Sequence, residues 1–249
     1  MSVDHKPTLR TLAVLELLST SDEKQTLSEI ARALNISTST LFPILHTLRE
    51  KEYLGFDKKS QTYSLGKRLF EIGSRVLHSS AYQEISGIVD RIAEACGETV
   101  HFGTLDWGDV LYLAKGESRQ PIRMYSTIGK RIPAYGTAIG KALLKNYSIE
   151  ELKRLYPEGL KPLTAKTITD FAELYGQLHG NGIFVYECEE STEGLRCIAV
   201  PIYRQGAVVA ACSVAVPLFR YDEEKKVLIE HLLKGALIEF EQMIHLVAF

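Results

Sequence analysis

The chain has 249 residues, of which 45% are hydrophobic and 24% charged, and its formal net charge is −2. These values are typical of globular proteins, and no apolar run reaches the roughly 18 residues that a membrane span requires. The first residues lack the apolar stretch of a signal peptide, so we expect a cytoplasmic protein without a membrane partner. Four scattered cysteines without a CxxC pair predict free thiols, and we expect neither a metal site nor a cofactor.

The first 66 residues have the pattern of three helices followed by a hairpin. An apolar stretch at 8–19 predicts the first helix, and Thr26, followed three residues later by a glutamate, predicts the capped start of the second. Apolar residues at helical spacing predict the third helix at 37–48. Alternation within 53–65, interrupted by the polar segment DKKSQT, predicts a two-stranded hairpin with a basic tip. Together these elements predict a winged helix-turn-helix.

The third helix contains Pro43, which a helix interior disfavours because proline lacks the N–H and clashes with the preceding turn. If Ser37 is the N-cap, Pro43 leaves the carbonyl of Ser39 without its helical partner, at a cost of about 3 kcal/mol. A helix that begins near Thr40 would place the proline in the first turn, where nothing is lost. We therefore expect a loosened or kinked first turn, with the proline on a DNA-reading surface and in reach of a thymine methyl group.

The outward face of the third helix and the tip of the hairpin are predicted to bind DNA, because the start of such a helix enters the major groove. Hydroxyl side chains can contact phosphates or base edges, and basic side chains can neutralise phosphates. Residues 1–80 hold eleven Lys/Arg against nine Asp/Glu, an excess that matters only if the basic residues share a face. The predicted DNA-binding residues are Thr26, Ser37, Thr38, Ser39, Thr40, Phe42, Pro43, His46, Arg49, Lys58, Lys59 and Gln61.

Residues 67–81 are predicted to form a linker helix after the DNA-binding domain of residues 1–66. Its apolar residues recur at helical spacing and form a stripe that needs a partner surface. We therefore expect a homo-oligomer that dimerises through its N-terminal part, with paired recognition helices on a pseudo-palindromic operator in double-stranded DNA. The stripe consists of Leu69, Ile72, Val76 and Leu77.

The remaining residues, 82–249, have the pattern of a mixed domain large enough for its own core. A strong helical pattern opens it at 82–96. Strand-like runs follow at 99–106, 110–116, 196–203 and 208–216, with helical segments near 139–146, 149–156, 170–180 and 222–246. The fold class predicted for the whole chain is α+β.

The sequence resembles the IclR family of bacterial transcription regulators over essentially its whole length. The resemblance rests on five motifs in the same order, namely TLSEIARALNISTSTLFPILHTL, YSLGKRLFEIG, GKRIPAYGTAIGKALL, LTAKTITD and CIAVPIYRQGAVVAACSVAVP. It implies a winged helix-turn-helix, a linker helix and a C-terminal GAF/PAS-like effector-binding domain, assembled as a dimer or a dimer of dimers. The implied function is a ligand-responsive regulator, more often a repressor, that controls a small-molecule metabolic operon.

The resemblance also implies an effector site for a small organic acid or a related metabolite. Backbone N–H groups at 138–140 and the Ser213 hydroxyl would donate to a carboxylate, and Glu187 would accept from a ligand hydroxyl. Glu187 stands where the family more often has Asp, and Ala215 where a second serine is common, so we expect an effector other than the smallest two-carbon acids. The residues carried over to this site are Met124, Tyr125, Ala138, Ile139, Glu187, Leu195, Cys197 and Ser213.

Two other functions remain open from the sequence alone. An enzyme would use Cys197 or Cys188 as its nucleophile and His101 or His179 as its base, although no motif places a histidine beside either cysteine. A protein-interaction module would fail to bind DNA even at low salt.

In the recognition helix, Pro43 also replaces a residue that is often basic in the family, so the operator sequence of a relative does not transfer to this chain.

Overall fold

Four helices and a small antiparallel sheet form the N-terminal part of the computed structural model, which describes residues 4–20, 23–180 and 182–244. The sheet has the order β1-β3-β2, so an additional edge strand accompanies the predicted hairpin. The predicted winged helix-turn-helix is confirmed. The helices are α1 (Lys6–Ser19), α2 (Leu27–Leu34), α3 (Thr38–Glu50) and α4 (Lys67–Leu77), and the strands are β1 (Gln25–Thr26), β2 (Leu54–Asp57) and β3 (Thr62–Leu65).

The turn between α2 and α3 follows from the residues at its ends. Thr26 caps α2 in a complete capping box with Glu29, and Asn35 ends the helix at a φ of 52°, a conformation that asparagine tolerates. The two helices share a core in which Ile30 and Leu41 have no exposed surface. Strand β1 was not predicted, because its two polar residues lack apolar alternation; pairing with β3 forms it.

One six-stranded antiparallel sheet, with the order β6-β5-β4-β9-β8-β7, organises residues 80–244. Its strands are β4 (Thr99–Asp106), β5 (Asp109–Gly116), β6 (Arg131–Pro133), β7 (Val185–Cys188), β8 (Leu195–Arg204) and β9 (Ala207–Pro217). The helices of this part are α5 (Ser80–Cys96), α6 (Ala138–Leu143), α7 (Ile149–Leu155), α8 (Phe171–Leu178) and α9 (Glu223–Met243). The predicted α+β class is confirmed.

The two faces of this sheet bury side chains of different size. Toward α5 and α9 the strands present large apolar residues such as Phe102 and Ile198, neither of which has exposed surface. Toward α6, α7 and α8 they present small residues, among them Ala199, Ala211 and Ala215. Because successive residues of a strand alternate between faces, the same short sequences build both layers.

The predicted elements occur with shifted ends, and in addition to β1 two short strands of the C-terminal sheet were missed. Strands β6 and β7 lie at the two edges of the sheet and have only three and four residues, too few for a periodic signal. The predicted end of the last helix, 245–246, lies outside the described residues. Contacts divide the chain into units of residues 1–79 and 80–249, a division that falls inside the predicted linker. In the described ranges no helix is long and apolar enough to cross a membrane.

Candidate DNA interface and effector site

The recognition helix α3 begins at Thr38, not near Thr40, and hydrogen bonds close its first turn. The carbonyl of Ser37 accepts from the backbone N–H groups of Thr40 and Leu41, each at 3.0 Å. The Ser37 hydroxyl donates to the Thr40 hydroxyl at 2.9 Å and lies 3.1 Å from that of Ser39. The expectation of a loosened first turn is therefore wrong, because the capping serine satisfies the groups at the helix start.

Pro43 is the sixth residue of α3, and its ring is exposed. It leaves the carbonyl of Ser39 without its helical partner. On the opposite face of the helix, Leu41 and Leu45 have no exposed surface, so core packing holds the helix together across the proline. The Thr47 hydroxyl donates to the Pro43 carbonyl at 2.8 Å, one turn further on.

Aromatic and hydroxyl side chains cover the outward face of α3. Phe42 is 54% exposed, and its ring centroid lies 6.2 Å from that of His46, which is also exposed. Thr38 is exposed at the helix start. The Thr26 hydroxyl, in contrast, donates to the Glu29 carboxylate at 2.8 Å and is engaged in capping α2.

The tip of the hairpin is an ordered turn that presents two lysines to solvent. Asp57 accepts from the backbone N–H groups of Lys59 and Ser60 at 2.8 and 3.4 Å. The side-chain amide of Gln61 donates to the carbonyl of Lys58 at 2.8 Å. The side chains of both lysines are exposed, and in the described part of the chain neither has an acidic partner within 4.0 Å. Gln61 thus shapes the turn that carries the lysines.

Arg49 lies at the C-terminal end of α3 and already has two partners. Its guanidinium is 3.0 Å from the Glu50 carboxylate and lies over the Phe56 ring at 5.5 Å from the centroid. The hydrogen bond from Arg49 lowers the pKa of the Glu50 carboxyl. Lys67 is similarly paired with Glu52 at 2.7 Å. A phosphate must therefore compete for these two cations, whereas the lysines of the hairpin tip are available.

In the C-terminal domain, the sheet face toward α6 brings most of the predicted effector residues together. Cross-strand pairing aligns two rows of side chains on this face, since directly opposed residues point the same way. The first row is Thr99, Ala215, Cys197 and Glu187, and the second is His101, Ser213, Ala199 and Val185. Ala138 and Ile139 of α6 pack against the same face, with Met124 at its margin.

One predicted effector residue lies elsewhere: Tyr125 is 83% exposed and does not form a wall of this buried layer. Leu195 is buried at the start of β8, where it pairs with Pro217, and alternation along the strand places it on the same face as Cys197, at the end of that face. The Gly140 N–H donates to the Thr137 hydroxyl at 3.0 Å, so it is not one of the free donors that the sequence predicted at 138–140.

Glu187 is buried with one carboxylate oxygen satisfied and one not. Its Oε1 accepts from the backbone N–H groups of Glu190 and Ser191 at 2.5 and 3.3 Å. Its Oε2 has no hydrogen-bond partner by distance among the described residues, although Glu187 is only 2% exposed, and the Cys197 thiol, a weak donor, interacts with this carboxylate. Burial raises the pKa of the Glu187 carboxyl. Burial and the neighbouring Glu187 carboxylate raise the pKa of the Cys197 thiol well above its usual value.

A fully buried lysine ties α6 to the turn that follows Glu187. The Nζ atom of Lys141 lies 2.5 and 2.7 Å from the two carboxylate oxygens of Glu190 and donates to the Gln177 side chain at 2.6 Å. Gly140 permits this arrangement, because a Cβ there would lie 2.1 Å from the carbonyl oxygen of Ala134. In the GK motif, Gly140 thus allows close packing of α6 against Ala134, and Lys141 forms the buried ion pair with Glu190.

His101 and Tyr112 also lie on the sheet face toward α6, where the sequence did not predict them. Their rings stack with centroids 4.4 Å apart, and the Nε2 atom of His101 lies 2.6 Å from the Ser126 hydroxyl. Burial, with nearby lysines, lowers the pKa of His101 to about 3, so the imidazole is neutral at pH 7. Alternation along β4 was visible in the sequence, but the pairing of His101 with Ser213 was not. In the described residues no cluster of His, Cys, Asp and Glu could hold a metal ion.

Both parts of the chain match known families. Residues 75–238 match the bacterial transcriptional regulator IclR C-terminal family, and residues 7–58 match the IclR helix-turn-helix domain. The regulator KdgR of Escherichia coli is 35% identical over 224 residues, 87% of this chain and 84% of KdgR. The transcriptional repressor AllR of the same species is 29% identical over 221 residues, 87% of this chain and 82% of AllR.

A solved structure shows the same fold. An IclR homolog from Microbacterium hydrocarbonoxydans, in complex with 4-hydroxybenzoate, aligns with a TM-score of 0.78 and 23% identity, covering 97% of this chain and 100% of that one. The chain belongs to the IclR family of bacterial transcriptional regulators. It is a DNA-binding regulator of transcription.

Proposed function

We propose that this chain is a homodimeric repressor in the bacterial cytoplasm that releases a pseudo-palindromic operator when a small organic acid binds its C-terminal domain. The observation that carries the effector part is the buried Glu187, whose Oε2 atom has no N–H or O–H partner in the part of the chain that the structure describes, on a sheet face lined by small side chains. A buried polar atom without a partner costs about 1–3 kcal/mol, which a ligand donor would recover. The relative bound to 4-hydroxybenzoate supports an acid, and the repressor AllR supports the direction of regulation.

The DNA part of the proposal rests on the exposed side chains of α3 and the hairpin tip. Thr38, Ser39 and Pro43 would meet base edges or phosphates in the major groove, and Lys58 and Lys59 would bind the flanking phosphates. Thr26, Ser37 and Gln61 act in this proposal mainly by holding those elements in shape, since their side chains cap α2, cap α3 and close the wing turn.

Dimerisation is supported by apolar side chains that the first unit leaves exposed. Helix α4 has no buried residue among those described. Phe70 is 80% exposed and Val76 64%, while Ile72 and Leu77 are exposed by 46% and 42%. A second copy that covers this face would pair two recognition helices and thereby select two half-sites about one helical turn apart, or a multiple of it.

Three measurements, made one after another, test the operator, dimer and effector parts of the proposal. Selection from a random DNA library should enrich a pseudo-palindromic site, and sedimentation on that site should give two chains, or two pairs, per operator. A panel of small carboxylic acids should then raise the melting temperature of the protein and release the DNA. A single chain on a non-symmetric site would refute the dimer, and acids that bind but tighten the operator complex would refute repression with release.

Replacing Pro43 with arginine is expected to raise affinity for scrambled DNA by about tenfold, because one phosphate contact is added, and affinity for the operator by less, because the apolar contact of the proline ring is lost. Stability should hold or rise, since position 43 regains an N–H for the Ser39 carbonyl. Discrimination between the two DNAs should fall. Titrations at matched salt measure this, with Pro43→Ala as the uncharged control. If Pro43→Ala discriminates as well as the native chain, the proline ring has no reading role.

The enzyme alternative is less well supported. Burial and Glu187 disfavour the thiolate of Cys197, which is the reactive form. His179 is exposed, and its ring contacts that of Tyr175 at a tilt of 31°, with centroids 4.0 Å apart, so it has a partner other than a cysteine. His101 is hydrogen-bonded to Ser126. We therefore propose that the C-terminal domain binds its ligand without converting it.

A further inference from the structure

The recognition helix α3 lacks the side chains that most often read bases in the major groove. From Thr38 to Leu48 it contains no arginine, lysine, asparagine, glutamine, aspartate or glutamate. Guanine and adenine are read by paired hydrogen bonds from arginine, lysine, asparagine or glutamine, and cytosine by a carboxylate. Arg49 and Glu50 follow only at the end of the helix, where they pair with each other. The part of α3 that enters the groove must therefore read bases with other groups.

Most hydroxyl groups of α3 and its cap are already hydrogen-bonded within the helix. The Ser37 hydroxyl donates to that of Thr40 at 2.9 Å and lies 3.1 Å from that of Ser39. The Thr47 hydroxyl donates to the Pro43 carbonyl at 2.8 Å. Serine and threonine can also contact more than one kind of base, so these hydroxyls discriminate weakly.

Two adjacent apolar rings, those of Phe42 and Pro43, lie on the exposed surface of the helix. Phe42 is 54% exposed, and Pro43 is also exposed. Pro43 shares the outward stripe with Ser39 and His46, which lie one turn before and one turn after it. Phe42 lies beside this stripe, with its ring centroid 6.2 Å from that of His46. A helix with its side chains is about 10–12 Å wide and nearly fills a major groove about 12 Å wide, so residues beside the stripe also contact the groove.

The base edges in the major groove offer these rings one apolar partner, the C5-methyl group of thymine. The other groups at the base edges are hydrogen-bond donors and acceptors, which lose their hydration without gaining a partner when an apolar ring covers them. The phosphates are charged and likewise give an apolar ring no favourable contact. Burial of the Phe42 ring in the groove is therefore favourable where the ring meets methyl groups and unfavourable elsewhere.

We propose that Phe42 and Pro43 form an apolar surface that recognises the C5-methyl groups of pyrimidines in each half-site of the operator. This inference rests on the DNA part of the proposed function and names the chemical group that the recognition helix reads. The modified base 5-methylcytosine carries the same methyl group at the same position of its ring. Methylation of a cytosine at the contacted position should therefore strengthen binding, which makes the regulator sensitive to this modification of DNA.

The first test removes single methyl groups from the operator and uses the full chain. In the operator selected from the random library, each thymine is replaced in turn by deoxyuridine, which lacks the methyl group and keeps every hydrogen-bonding group. Burial of one methyl group corresponds to about a fourfold change in affinity. One or two positions of each half-site should thus show a dissociation constant about four times larger, and the remaining thymines serve as internal controls.

The second test adds a methyl group. At each position that responds to deoxyuridine, the thymine–adenine pair is replaced by cytosine–guanine and, in a second duplex, by 5-methylcytosine–guanine. The methylated duplex should bind about fourfold more tightly than the unmethylated one, because the two differ by one methyl group. Fluorescence anisotropy at matched salt measures all the dissociation constants.

Two variants connect the methyl effect to the side chain. Phe42→Ala removes the ring and should abolish the difference between thymine and deoxyuridine at one or more of the responsive positions. Phe42→Leu keeps an apolar side chain and should keep most of that difference. Both should leave affinity for scrambled DNA and the salt dependence nearly unchanged, because the phosphate contacts remain. Both should also keep the fold, since the native ring is exposed, and thermal unfolding checks this.

Equal affinities for thymine and deoxyuridine at every position, or a methyl effect that persists in full at every responsive position in Phe42→Ala, would overturn this inference and leave operator binding intact. An unmethylated cytosine duplex that binds as tightly as the methylated one would do the same. If selection enriches no DNA sequence, the operator part of the proposed function fails as well.

Discussion

Replacing Lys141 with methionine is expected to destabilise the C-terminal domain by about 3–5 kcal/mol and lower its melting temperature by about 10 °C. Lys141 has no exposed surface, and its ammonium lies 2.5 Å from a Glu190 carboxylate that is itself buried. The variant leaves that carboxylate without a counter-charge in a medium where an isolated charge is costly. Urea unfolding followed by circular dichroism measures the loss.

The double variant Lys141→Met/Glu190→Gln is the informative companion, because it removes both charges together. It should recover most of the lost stability, since neutral groups of similar size no longer require pairing. Lys161→Met is the matched control. It removes a lysine from an exposed pair with Glu158 and should change stability little. Equal losses in the single and double variants would show that Lys141 acts through packing and not through its charge.

Lys141→Met should also weaken effector binding, because Glu190 connects Lys141 to the carboxylate of Glu187 in the candidate effector site. The Glu190 N–H donates to Oε1 of Glu187 at 2.5 Å, while its side chain is held by Lys141 and its carbonyl accepts from Thr167 at 2.6 Å. The LTAKTITD segment thus clamps the turn that positions Glu187.

Replacing both Lys58 and Lys59 with alanine is expected to weaken operator binding about 50- to 100-fold at 0.1 M salt. Each phosphate contact contributes close to one unit to the slope of log affinity against log salt, so the slope should flatten by about two units. The effect should be similar on operator and scrambled DNA, because phosphate contacts carry no sequence information. Titrations at several salt concentrations measure both quantities.

Two variants sharpen this comparison. Lys58→Arg/Lys59→Arg keeps the charges and should keep the slope. Arg49→Ala should cost less than the loss of either lysine, because Glu50 already pairs with Arg49 and a phosphate must displace it. An altered sequence preference with an unchanged salt slope would show that the lysines read bases and do not bind phosphates.

Interactions between residues close in sequence were enough to predict most elements of the N-terminal part of the chain, but not strand β1 or the regular first turn of α3. The capping residues Thr26 and Ser37, the turn at Asn35 and the exposed position of Pro43 all follow from groups a few residues apart. Such interactions depend on neighbours along the chain, so a single sequence reveals them. Even here the outcome at α3 needed the fold, since core packing and the serine cap kept the first turn regular despite the proline.

The candidate effector site depends on contacts between distant parts of the chain. Pairing of β7 with β8 brings Glu187 opposite Cys197, and pairing of β4 with β9 adds Thr99 and His101. Strand register depends on which faces pack against the helices, and a shift of one residue would turn every side chain to the other face. The burial of Lys141 with Glu190 and the exposure of Tyr125 likewise leave no periodic signal. The motifs identify the family and its domains, but tertiary packing selects the residues that meet on the sheet face toward α6.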